Sequence, residues 1–160
     1  MRSNQVFARM SAEESAAFLE RLKDEAPAVA RLALGAAADA FKLRPTFLKK
    51  QPRTRQAEWM RRALGRNIGA AIAEEVLATY FMDHRSELLV ELLDTLEVEH
   101  EEGTLKDKPD CPEKKKLQAA VEKFRQGEDP ETRELLLMAF TAQSSIDWPP
   151  LDELLGVEAA

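Results

Sequence analysis

Cysteine is almost missing from this sequence and histidine is scarce. One thiol, Cys111, excludes a disulfide framework and any metal site built from several thiolates. Two histidines, His84 and His100, leave few groups able to move a proton near neutral pH. Six glycines leave no Gly-rich linker, and no segment alternates apolar and polar residues over the length of a strand or carries a two-residue hairpin signal. Long apolar runs are absent too. The most apolar stretch, Ala26 to Phe41, is broken by Arg31 and Asp39 and falls short of the ~20 residues needed to span a bilayer. The opening residues, MRSNQVFARM, lack the apolar centre of a secretion signal. These absences lead us to expect a cytoplasmic chain that does not enter the membrane.

What is present describes a globular protein. The 160 residues are 44% hydrophobic and 32% charged, enough for one ordinary domain with a core and a well-solvated surface. Helical signals recur along it. Ser11-Ala-Glu-Glu14 fits a capping box, in which serine and glutamate each satisfy an orphan backbone N–H, and Phe18, Leu19 and Leu22 follow on one face. Pro27 suits the first turn of a second helix, whose small residues (Ala33, Gly35, Ala36, Ala37, Ala38) permit close packing. Pro45 and Pro52 bracket an irregular connection from Arg44 to Thr54, because a residue before proline is pushed out of the helical region. Further helices are expected from Thr54 to Gly65, Ile68 to Met82, Ser86 onward, Lys114 to Gln126 and Glu131 to Gln143, the last apolar on every side from Leu135 to Phe140. Glu97 to Glu102 reads as a solvated helix end, and Gly103 to Pro112 as a loop. The expected fold is all-α: a single-domain bundle of about six to seven helices, mostly antiparallel neighbours. It has a flexible N-terminus over 1–10, the helical domain over 11–155 and a tail over 156–160.

Charge is segregated along the chain. From Lys42 to Arg66 nine cations face one acid, Glu58, whereas from Asn67 to Leu105 ten acids face Arg85 alone. Arg55, Arg62 and Arg66 recur on one helical stripe, preceded by Lys49, Lys50 and Arg53. Such a stripe binds phosphates, nucleic acid or an acidic partner when it is exposed. It is structural when it lies against the acids of the next helices, Glu87, Glu91 and Asp94 among them. Overall acidity disfavours nucleic acid, and no nucleic-acid-binding motif accompanies the patch.

Two other constellations deserve weighing. Glu97 and His100 form a Glu-x-x-His pair of the type that holds di-iron in helical bundles. A second such pair is missing, so they are a weak metal candidate and no metal or cofactor is expected. Near the C-terminus, Leu137, Trp148 and Leu151 are candidate anchors for a partner surface, with the alternative that this segment folds back onto its own core. Cys111 stands between Asp110 and Pro112, a setting that raises a thiol pKa and does not activate it. No catalytic constellation stands out. The expected function is a non-enzymatic helical interaction or adaptor module, binding another protein or a second copy of itself. The alternatives are nucleic-acid or anionic-ligand binding through residues 42–66, which is not favoured, and a metal-binding bundle using Glu97 and His100.

Overall fold

In the computed structural model, residues 1–143 and 145–157 are described. Among them the chain is all-α, with ten α-helices where six or seven were counted from sequence, and one two-stranded hairpin. No helix among the described residues is long and apolar enough to cross a membrane. The chain folds as two compact units, Ser3–Tyr80 and Met1–Arg2 with Phe81–Ala160.

The first unit holds α1 (Ser3–Arg9), α2 (Ala12–Glu25), α3 (Pro27–Ala40), α4 (Pro45–Lys50), α5 (Arg53–Leu64) and α6 (Ala70–Thr79). The capping box forms as expected: Glu14 N–H donates to Ser11 Oγ at 3.1 Å and Ser11 N–H to Glu14 Oε2 at 2.7 Å. Pro27 occupies the first turn of α3. Helix α5 packs on α2, α3 and α1. Phe18 stands between Phe7 at 6.0 Å and Tyr80 at 5.6 Å, and the buried Tyr80 hydroxyl donates to Glu25.

Two expectations for this unit need correcting. Residues 1–10 are not a loose lead-in, since Ser3–Arg9 is helical and Val6, Phe7 and Met10 are buried. Their spacing is already that of one apolar helix face, and a polar appearance near a terminus hid it. Nor is 44–54 irregular throughout, because Pro45 opens α4. The restriction before proline acts on Arg44 and Gln51, which are extended as it requires (ψ 132° and 151°), and leaves the six residues from Pro45 to Lys50 free to coil.

The second unit holds α7 (Ser86–Thr95), β1 (His100–Glu101), β2 (Thr104–Leu105), α8 (Lys114–Arg125), α9 (Pro130–Thr141) and α10 (Pro149–Leu154). Helix α8 packs on α7, α9 and α10, and α9 also meets α7. As its all-round apolarity implied, α9 buries Leu135, Leu136, Leu137, Ala139 and Phe140. Residues 97–102 do not continue a helix. Helix α7 stops at Thr95, and the antiparallel hairpin turns through Glu102 and Gly103, both at positive φ as a type I′ turn requires. Of the expected tail, Val157 is buried and residues 158–160 lie outside the described residues.

One polar side chain ties three helices of this unit together. Arg133, on α9 and 6% exposed, donates to both carboxylate oxygens of Glu91 on α7 at 2.7 and 3.0 Å. It also donates to the carbonyls of Glu128 at 2.6 Å and Phe124 at 3.0 Å, so the end of α8 gains a charged donor for a carbonyl otherwise met, among the described residues, only by the long 3.4 Å contact from Gly127 N–H and the cap N–H of Gln126. Its guanidinium lies 4.7 Å from the Phe124 ring and fills the space where a side chain at Gly127 would stand. Arg133→Met keeps the stem but abandons two carbonyls and Glu91. We expect a loss of about 2–4 kcal/mol, below the full cost of stranding a buried charge because Glu91 is half exposed. Chemical denaturation of the full chain measures it, and a change under 0.5 kcal/mol would show that the network is ornamental.

Candidate functional site

The basic segment 42–66 builds one surface from the end of α3, α4 and α5. Its small core is Ala37, Ala38, Leu48 and Ala63, with Leu34, Phe41, Leu43 and Trp59 packed around it. Alanines on α3 let α4 and α5 come close, and the two proline-started elements turn sharply enough to stay beside it. Gln56 fixes the corner. It is 4% exposed, its Nε2 donates to the carbonyls of Lys49 (3.1 Å) and Gln51 (3.0 Å) at the end of α4, and its Oε1 accepts from Lys23 Nζ at 2.5 Å. Partial burial lowers the Lys23 pKa, helped by the charge of Arg53 and opposed by Glu20.

Between α3 and α4 lies a groove of about 220 Å³ lined by Arg31, Leu34, Gly35, Ala38, Pro45, Leu48 and Lys49. Its floor is apolar, and the charged lining residues among those described are two cations, Arg31 and Lys49, both exposed. Gly35 has no structural need to be glycine. It lies inside α3, and a Cβ built on it meets nothing within 4 Å. Phe47 on α4 stands 48% exposed, and Ile68, beyond α5, 87% exposed.

The cations of the sequence stripe have separate fates. Arg53 pairs with Glu20 at 2.7 Å across α5 and α2, both ends in solvent, and Arg61 grips Glu58 with two hydrogen bonds that hold the Glu58 carboxyl below its usual range. Lys49, Lys50 and Arg55 are exposed and make no ion pair among the described residues. Arg62 stacks 5.2 Å from the Phe41 ring and 5.3 Å from Trp59. Arg66 falls two residues past the end of α5, so the single helical stripe expected from sequence is interrupted there. Its guanidinium nevertheless reaches 4.3 Å from the Phe41 centroid. The acids that the charge pattern offers as partners are engaged inside the second unit: Glu87 by Arg85, Glu91 by Arg133 and Asp94 by His100.

The remaining candidates do not form sites. Leu137, Trp148 and Leu151 are each at most 2% exposed, so they are core and not a partner surface. Trp148 packs edge-on against Phe140 at 5.4 Å, and its indole N–H donates to the Pro109 carbonyl; an aromatic with its polar handle satisfied gains more from burial than from solvent. Glu97 and His100 share no helix, since Glu97 is left-handed (φ 55°) and His100 begins β1. Both imidazole nitrogens are used locally. Gly103 N–H donates to Nδ1 at 3.1 Å, which puts the proton on Nε2, and Asp94 Oδ1 accepts it at 2.7 Å. Among the described residues no three His, Cys, Asp or Glu gather as metal ligands. The Cys111 thiol is raised, by partial burial, which leaves it a poor nucleophile. A second hollow, of about 300 Å³ between the end of α7 and α8, carries Glu97 as well as Lys116 and Lys123 and so favours neither sign of ligand.

Sequence reasoning found the cations but missed the groove. Its signal was Gly35 in the middle of a helix otherwise filled with alanine and leucine. Compared with protein-family models, curated proteins and solved structures, the chain matches none. Because a glycine inside an exposed helix costs ~1 kcal/mol relative to alanine, Gly35→Ala is expected to stabilise the protein by about 0.5–1 kcal/mol. Thermal or urea unfolding tests this. A destabilisation would show that the glycine is required by the fold.

Proposed function

We propose that this chain is a non-enzymatic interaction module whose first unit receives an acidic, amphipathic helical segment of another protein in the groove between α3 and α4. The observation that carries this reading is the groove itself, an apolar floor under a purely cationic rim, opened by a glycine that the helix would be more stable without. Apolar anchors of a helix one turn apart would enter over Leu34, Ala38 and Leu48. Glutamates or aspartates flanking them would meet Arg31 and Lys49, which make no ion pair among the described residues. The absent side chain at position 35 lets the visiting backbone come close, as helix pairs use small residues to do. Charge at the rim would raise the association rate and select against basic partners more than it would add affinity.

A protein partner is favoured over nucleic acid by the state of the aromatic rings. Single strands are held by bases stacked on exposed aromatic faces, and here guanidiniums already lie against Phe41 and Trp59. The module reading is tested by selecting a displayed library of random 16-residue peptides against the full chain, in parallel with Gly35→Phe and with Arg31→Glu/Lys49→Glu. Peptides that pattern as acidic amphipathic helices should be enriched, Gly35→Phe should abolish their binding by filling the groove, and the charge reversal should weaken it at least ~10-fold. Enrichment of basic or unpatterned peptides, or selection indifferent to position 35, would contradict the proposal.

A further inference from the structure

Arg62 and Arg66 stand apart from the other cations of this surface. Arg53 and Arg61 end on carboxylates, so their charge is largely neutralised where it stands. Arg62 and Arg66 are exposed and, among the described residues, have no carboxylate within ion-pair distance, yet neither is loose. Both guanidiniums lie within 5.2 Å of the centroid of one ring, Phe41, and Arg62 also lies against Trp59. The two rings are themselves packed at 4.8 Å and lie, partly buried, against the small core of α3, α4 and α5. The stacking restricts the rotamers of two long side chains before any ligand arrives, which lowers the entropy lost on binding. Among the described residues no acceptor takes the guanidinium N–H groups of either arginine, so those donors remain for a ligand.

Two guanidiniums held around one ring, with their donors unspent, suit a compact dianion with several acceptor oxygens. A phosphate monoester has three such oxygens and ~1.5–2 negative charges, whereas a carboxylate offers two oxygens and one charge. We propose that Arg62 and Arg66, braced by Phe41 and Trp59, form a clamp for a phosphorylated side chain of a protein partner. This rests on reading the first unit as a protein-binding module. It adds that the acidic partner is recognised more strongly once phosphorylated, so that docking is under the control of a kinase and a phosphatase. A nucleic-acid backbone would instead need cations spaced along a track; Arg55 is exposed on the same helix as Arg62, but Arg53 and Arg61 there are held by Glu20 and Glu58, which interrupts such a track.

The test uses the full chain and follows the backbone amide resonances together with the arginine side-chain Nε–Hε resonances by NMR during three titrations: N-acetyl-phosphoserine methylamide, N-acetyl-glutamate methylamide, and a twelve-residue oligothymidine. The phosphoserine amide should shift the Arg62 and Arg66 signals saturably and bind at least ~5-fold more tightly than the glutamate amide, as expected of bidentate guanidinium–phosphate pairing. Arg62→Lys/Arg66→Lys keeps the charge but not the fork, and should reduce that preference to less than ~2-fold while the backbone spectrum stays folded. Equal binding of glutamate, no shift at either arginine, or an undiminished preference in the lysine variant would each overturn the clamp. So would oligothymidine shifting Lys49, Lys50 and Arg55 together with the pair, at higher affinity and with a steep salt dependence. The clamp and the groove fail separately: loss of phosphate preference with peptide selection still sensitive to position 35 condemns only the clamp, and the reverse result condemns only the groove.

Discussion

Local pairing decides where charge remains on this protein. The acids of α7 find partners close by in their own unit, Glu91 in Arg133, Asp94 in His100 and Glu87 in Arg85. The strongest of these is the buried one, where Arg133 also supplies charged donors to two backbone carbonyls, so that its withdrawal costs several hydrogen bonds at once. In the first unit, the cations between Lys42 and Arg66 meet few carboxylates: Glu20 takes Arg53 and Glu58 takes Arg61. The rest keep their charge, either in solvent or against an aromatic ring. A protein that is acidic overall therefore presents a locally cationic face, and the groove and the guanidinium pair both belong to it.

That face is shaped by small residues and by proline. Alanines at 37, 38 and 63 allow α3, α4 and α5 to close on Leu48, and the prolines at 45 and 52 start two helices without a long loop between them. Gln56 then satisfies the carbonyls left open at the end of α4, which keeps a six-residue helix in place although it is too short to be stable alone. Rigidity of this kind favours recognition. The groove wall and the stacked arginines are set by the fold and need little reordering on binding.

Much of the fold was legible in the sequence, and the reasons differ by element. The capping box at Ser11, the proline start of α3 and the all-round apolar face of α9 are signals confined to a few neighbouring residues, and all appear in the structure. Helix α4 was misread because the rule about residues preceding proline was extended to the residues following it. The hairpin was missed because Glu102-Gly103 is a weak version of the turn signal, and its acidic surroundings read as a helix end. The site was legible as composition only. Nothing in the spacing of Arg62 and Arg66 says that both will meet Phe41, because that contact depends on how α3 lies beside α5. Trp148 shows the converse, since a peptide-like anchor pattern near the C-terminus cannot reveal that Phe140 and the Pro109 carbonyl wait to receive it.

The central claim is that the face between α3 and α4 is a docking surface for an acidic amphipathic helix. It is tested most directly by mapping the backbone and methyl NMR shifts of the full chain on titration with a designed helix that carries leucines one turn apart on one face and glutamates on the other. The account predicts perturbations concentrated at Leu34, Gly35, Ala38 and Leu48, with intermolecular contacts from the peptide leucines to those residues. Shifts scattered over the cationic surface without leucine contacts in the groove, or shifts centred on another apolar region, would contradict it.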